Sequence, residues 1–154
     1  MKKTFFISYN KANRDWAEWI AYQLETVEGY STISQAWDFQ TGRNFAWEMH
    51  EALLVAEHTI AVLSPDYLDP KASFSQAEWT AVFKEDPLGN QRKLIPVRVE
   101  ECTPRGLLGP IHYIDLVGLV DRSAAREKLL KEVSGQRRKP LDEPPFPGNR
   151  TPKP

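Results

Sequence analysis

The feature that most constrains this chain is the regular alternation of short apolar runs with helical stripes. Thr59-Ile60-Ala61-Val62-Leu63 is a nearly continuous apolar segment, stopped by Ser64-Pro65-Asp66, and reads as a central strand. A compact, aromatic-rich segment from Thr4 to Tyr9 reads as a buried strand ending in the polar loop Asn10 to Asn13. Between them Trp16, Trp19, Ile20, Leu24 and Val27 recur at three- and four-residue steps, which is an amphipathic helix stopped by Gly29. A short strand is expected over Thr32 to Trp37, then a loop through Gly42. A second helical stripe follows at Phe45, Met49, Ala52, Leu53 and Ala56. A third helix starts near Lys71 or Phe74 and ends at Asp86-Pro87-Leu88-Gly89-Asn90. Leu94 to Val99 is a strand that Pro96 moves toward the sheet edge or a bulge, and Ile111 to Leu116 is a last short strand. Asp121 then caps a helix that packs through Leu129, Leu130 and Val133. Strand alternates with helix throughout, so the fold class is α/β, an open and mainly parallel sheet with helices on both faces. Ligands of such sheets bind beyond the carboxyl ends of the strands.

Composition narrows the partners. The 154 residues suit one domain, and 20 basic against 21 acidic residues leave a net charge of −1, with no general pull toward nucleic acid or an anionic membrane. The single cysteine, Cys102, makes no intramolecular disulfide and has no neighbouring ligand pattern for a metal, so no metal is expected. Phe5-Phe6-Ile7 is too short for a signal-peptide core or a membrane span, and a cytoplasmic location is expected. Beyond Gly135 the segment Gln136-Arg137-Arg138-Lys139-Pro140 and the run Pro144-Pro145-Phe146-Pro147 read as a linker. The division is thus a domain over 1–135 and a Pro-rich linker or tail over 136–154, leading to a further module.

The chemistry is narrowed mostly by elimination. No GxGxxG follows the first strand, no GxxxxGK[ST] occurs, and Ser64-Pro65 lacks the glycines of a nucleophile elbow. The first strand ends without the acidic pair of a phospho-accepting receiver, and His50, His58 and His112 have no ligand or triad spacing. His50 and His58 read as helix and strand-edge residues. The exception is Phe74-Ser75-Gln76-Ala77-Glu78-Trp79: helical spacing sets Glu78 between Phe74 at i−4, Ala81 at i+3 and Val82 at i+4. An apolar flank disfavours the ionised carboxylate and raises its pKa, as suits a group that faces a cationic ligand or holds a proton. The plainer alternative is a Glu at a helix edge with its head in water. The residues that converge at the strand ends are Ser8, Tyr9 and Asn10, then Asp38 to Trp47, then Phe74 and Glu78.

Five strings in order carry a family resemblance. Phe5-Phe6-Ile7-Ser8-Tyr9, Trp37-Asp38 with its Gly42 loop, Ala61-Val62-Leu63-Ser64-Pro65-Asp66-Tyr67, Ser75-Gln76-Ala77-Glu78-Trp79 and Leu94-Ile95-Pro96-Val97 together resemble the Toll/interleukin-1 receptor (TIR) domain family, its bacterial type most closely. The resemblance implies a flavodoxin-like, doubly wound sheet of five parallel strands. It further implies cleavage of NAD⁺, as substrate and not cofactor, at the nicotinamide–ribose bond, with Glu78 as the catalytic residue. Phe74 matches an aromatic position and Ser75 the small polar position after it. Asp38, Gly42, Phe45 and Trp47 match the loop that in relatives closes over substrate and contacts other TIR domains. Ser8, Tyr9, Asn10 and Lys11 are the substrate-binding candidates after the first strand, and relatives use basic residues at the positions of Asn10 and Lys11 near the phosphates, of which only Lys11 is basic here. The implied partners are NAD⁺ and other TIR domains, in immune or antiphage-type signalling. A noncatalytic TIR scaffold is the alternative.

Overall fold

The computed structural model of the chain describes residues 3–149, apart from the side chains at 73–75 and 149. Five strands form one all-parallel sheet in the order β2-β1-β3-β4-β5: β1 Thr4–Ser8, β2 Ser31–Ser34, β3 His58–Leu63, β4 Leu94–Arg98 and β5 Ile114–Asp115. The expected flavodoxin-like doubly wound α/β architecture is the one observed. The chain runs outward from β1 to β2 and returns on the other side of β1 as β3. The crevice at this reversal, outside the carboxyl ends of β1 and β3, is where such sheets bind ligands.

Strand alternation divides the core between two faces. Phe5 and Ile7 of β1, Ile60 and Val62 of β3, and Ile95 and Val97 of β4 pack against α1 (Arg14–Glu28) and α6 (Arg122–Ser134), meeting Ile20, Leu24, Leu129 and Val133. Ala61 and Leu63 face the opposite way, onto Tyr67, Trp79 and Val82. The elements on that side include α3 (Phe45–Val55), the single turn α4 (Pro65–Leu68) and α5 (Ser73–Glu85), while α2 (Gln35–Asp38) is one turn after β2. The period of two therefore turns Ser8, the last residue of β1, toward α5. α1 ends as expected at Gly29, whose φ of 69° is the left-handed cap conformation, and Asp121 caps α6 by accepting the Ser123 N–H at 3.0 Å.

Three sequence expectations are corrected. The strand expected over Thr32 to Trp37 stops at Ser34 and becomes α2, because the Asp38 carboxylate folds back to accept the Ser34 N–H at 2.8 Å and closes a helical turn. The last strand shrinks from Ile111–Leu116 to two residues, Ile114–Asp115. Pro96 lies neither in an edge strand nor at the sheet margin, since β4 runs between β3 and β5. The Val99 N–H bonds β3 and the Arg98 carbonyl bonds Leu116, so residues 95, 97 and 99 address β3, and 96 and 98 address the other side. β5 pairs only from Val97 onward, so the N–H that Pro96 lacks would have pointed where no strand stands. Arg98 then ties β4 to β5, donating to both Asp115 carboxylate oxygens at 3.1 and 2.8 Å. That guanidinium holds the Asp115 carboxyl below its ordinary pKa.

Candidate functional site

Glu78 is buried, with 7 % of its surface exposed, on the side of α5 that meets the end of β1. The Ser8 hydroxyl donates a short hydrogen bond to Glu78 Oε2, and the Tyr67 hydroxyl lies 2.9 Å from the same Ser8 oxygen. Removal from water pushes the Glu78 pKa up from 4.5 to about 7, against the Ser8 hydrogen bond, which favours the ionised form. Val82, one turn on, is buried as the sequence spacing implies, whereas Ala81 is exposed.

A shallow pocket of about 290 Å³ opens over this carboxylate, between Ala77 and Glu78 of α5 and Ala46, Met49, His50 and Leu53 of α3. Its lining is apolar except for Glu78 and His50, and the His50 ring lies 5.4 Å from the Trp47 ring. A second groove, of about 780 Å³, lies at the amino end of β4 among Phe83, Leu94, Ile95 and Tyr113. It is the larger, but it stands at the end of the sheet away from the chain reversal and contains none of the converging residues.

The sequence-predicted residues whose side chains are described divide into three groups. Ser8 and Glu78 are brought into contact, and Tyr9 is half-buried beside them, its hydroxyl pushed up chiefly by burial, with Glu78 among the charges it senses. Asn10 serves the loop: its Oδ1 accepts the Ala12 N–H at 2.9 Å and its amide donates to the Asp66 carbonyl at 3.5 Å, while Lys11 is exposed beside it. The loop after β2 is tied to the start of α3, where the Gln40 N–H donates to Glu48 Oε1 at 3.4 Å and Arg43 pairs with the same carboxylate at 3.1 Å. Asp38 caps α2, Gly42 takes a φ of 92°, and Phe45 packs edge-on against Phe39 at 5.6 Å. Trp47 is 55 % exposed at the first turn of α3. Neither Phe45 nor Trp47 lines the pocket over Glu78; Ala46 between them does. The Phe74 and Ser75 side chains lie outside the described residues.

Sequence reasoning missed two members of this site. His50 stands on a helix as expected, but its place in the pocket lining is not foreseen, although it follows Ala46 by one turn and precedes Leu53 by three residues on the stripe that lines the pocket. Tyr67 enters the sequence reading only within a family string. Its local signal is the helix start Ser64-Pro65, in which the Ser64 hydroxyl accepts the Tyr67 N–H at 3.1 Å. Among the described residues no group of three His, Cys, Asp or Glu is placed to hold a metal ion, and no helix is long and apolar enough to cross a membrane.

A buried carboxylate with a raised pKa at the reversal point of a 2-1-3-4-5 sheet is a strong site signature, and sequence comparison puts a family to it. The family model described as TIR domain matches residues 5–130. The chain belongs to the TIR domain family. No curated protein matches it by sequence. Among solved structures, this TIR domain is similar to that of the Toll-related receptor TRR-2 from Hydra magnipapillata, with a TM-score of 0.65 at 20 % identity, over 84 % of this chain and 97 % of that one. It is similar also to the TIR domains of the activated Roq1 resistosome, which directly recognises the pathogen effector XopQ, with a TM-score of 0.63 at 13 % identity over 86 % and 99 %. A prokaryotic SEFIR domain gives 0.55 at 20 % identity over 94 % and 99 %. At these identities the likeness establishes the fold.

Proposed function

We propose that this TIR domain cleaves NAD⁺ at the nicotinamide–ribose bond, as a glycohydrolase or ADP-ribosyl cyclase, with Glu78 as its catalytic carboxylate and with activity raised by association of TIR domains. The observation that carries the reading is the position of Glu78: a buried carboxylate, held by a hydroxyl, opening into an apolar pocket at the carboxyl end of the central strands.

The reaction asks little of an acid. Nicotinamide departs as a neutral base, taking the electron pair of the C1′–N bond, and leaves an oxocarbenium-like ribose. The Glu78 carboxylate stabilises that developing positive charge and accepts hydrogen bonds from the ribose hydroxyls. Water, or a nucleophilic nitrogen of the same dinucleotide in the cyclase variant, then adds at C1′; when water adds, its proton is released. The apolar side chains of Met49 and Leu53 lower the polarity beside the carboxylate, which strengthens the interaction. His50 and Trp47 stand at the pocket margin, where flat rings stack on substrate rings. At about 290 Å³ the pocket sits at the lower limit of the ~300–1,000 Å³ usual for ligand sites, enough for a ring and its sugar. A whole dinucleotide needs more room than this pocket gives, and activation by assembly would supply it.

The exposed apolar residues Trp47, Leu54 and Val55 on α3 favour a second reading, a noncatalytic module in which the same face only binds other TIR domains. The Glu78→Gln variant separates the two. Under the first reading it folds and loses at least about a hundredfold in nicotinamide release, roughly 3 kcal/mol in barrier. Because the acting form is the carboxylate, release by the parent protein should rise with pH through about 7. A folded Glu78→Gln protein that turns over NAD⁺ as fast as its parent removes Glu78 from the mechanism. The immune or antiphage-type context and the cytoplasmic setting belong to the same proposal.

A further inference from the structure

We propose that Tyr67 is a positioning residue for Glu78, acting through the Ser8 hydroxyl. The proposal rests on the reading of Glu78 as the catalytic carboxylate and adds what holds that group in place. Tyr67 is fully buried on α4, in the core of the α5 face with Leu63, Trp79 and Val82, and it does not line the pocket. Both ends of the residue are fixed. Its N–H is taken at 3.1 Å by Ser64 Oγ, whose own proton goes to Asn13 Oδ1 at 2.6 Å, and the Asn13 amide donates a short hydrogen bond to Glu100. The loops after β1, β3 and β4 are thereby laced together behind the site. At the other end the Tyr67 hydroxyl meets Ser8 Oγ at 2.9 Å.

The direction of these bonds follows from counting protons. Ser8 has one, and the ionised Glu78 can only accept, so the Ser8 proton points to Glu78 and the Tyr67 hydroxyl donates to Ser8. Burial pushes the Tyr67 pKa up, so it keeps its proton throughout the range in which Glu78 titrates. Each donation polarises the next, so the Tyr67 bond makes Ser8 a better donor to the carboxylate and fixes the rotamer from which it donates. Among the described residues, Tyr9 just after β1, Tyr67 on α4 and His50 across the pocket on α3 are the titratable groups that face Glu78.

The test is the titration of the Glu78 carboxyl by ¹³C NMR in glutamate-labelled protein, assigned with Glu78→Gln, beside the pH profile of nicotinamide release. Tyr67→Phe keeps the ring and deletes the donor, so the Glu78 midpoint should rise by about 0.3 to 1 pH unit, and the acid limb of the rate profile should move with it. Ser8→Ala should raise the midpoint further, and Ser8→Thr, which keeps the hydroxyl, should restore it. In the Ser8→Ala background, Tyr67→Phe should then have no further effect. An unmoved midpoint in Tyr67→Phe, or a shift of the same size with Ser8 absent, overturns the proposal. The titration needs no turnover, so a shift in a protein that releases no nicotinamide would uphold the positioning while the reading of the function fails.

Discussion

At the scale of single residues, Glu78 couples the site to stability. Its pKa is raised in the folded chain, so burial costs nothing below the ordinary value of 4.5, where both states are protonated. Stability is then lost as pH rises through about 7. The span between these values, at 1.36 kcal/mol per pH unit, corresponds to about 3 kcal/mol. Glu78→Gln should therefore be more stable than its parent at pH 8, by up to that amount, and match it near pH 4; urea unfolding at the two pH values checks this. A variant that gains no stability over its parent between pH 4 and pH 8 would mean that the carboxylate is held better than its burial implies. Glu78 was legible in the sequence because its apolar flank lies along its own helix, and Val82 is buried as expected. Its partners were not: Ser8 is 70 residues away and Tyr67 is 59 residues from Ser8, separations that no local period encodes.

At the scale of elements, the loop at 39–44 and the start of α3 carry the variable part of the account. Gly42 sits at φ 92°, so Gly42→Ala should strain the loop by ~1 kcal/mol. Phe45→Ala removes the edge-on contact with Phe39, and Trp47→Ala removes an exposed ring beside His50. Each should weaken either NAD⁺ turnover or self-association, read by steady-state kinetics and by sedimentation. Unchanged values in both measurements would take the loop out of the site. The central strands were legible because they are buried on two faces and read as apolar runs. β2 and β5 are edge strands of four and two residues, in which side-chain caps and one salt bridge decide the ends. Those contacts are polar and made by side chains, so an apolar pattern overstates both strands. Pro96 misled for a related reason: a strand inside the sheet is locally unpaired where its neighbour has not yet begun.

At the scale of the whole molecule, one sheet holds two cores, and only one of them faces the site. Leu129 of α6 is fully buried on the α1/α6 face. Leu129→Ala should cost about 2–5 kcal/mol in stability, measurable by denaturant unfolding, while leaving Glu78-dependent chemistry intact in the folded fraction. A matching loss of turnover per folded molecule would show that the two faces are coupled. Trp47, Leu54 and Val55 are exposed on the helix whose Ala46, Met49, His50 and Leu53 line the pocket, so under the proposed function one helix would serve both the substrate and association. The most direct test is chromatographic measurement of nicotinamide and the ribosyl product formed from NAD⁺, by parent and Glu78→Gln proteins, across a series of protein concentrations. The account predicts release by the parent that rises faster than linearly with protein and falls at least about a hundredfold in Glu78→Gln. No release from the parent at any concentration, even when copies are tethered together, would contradict it.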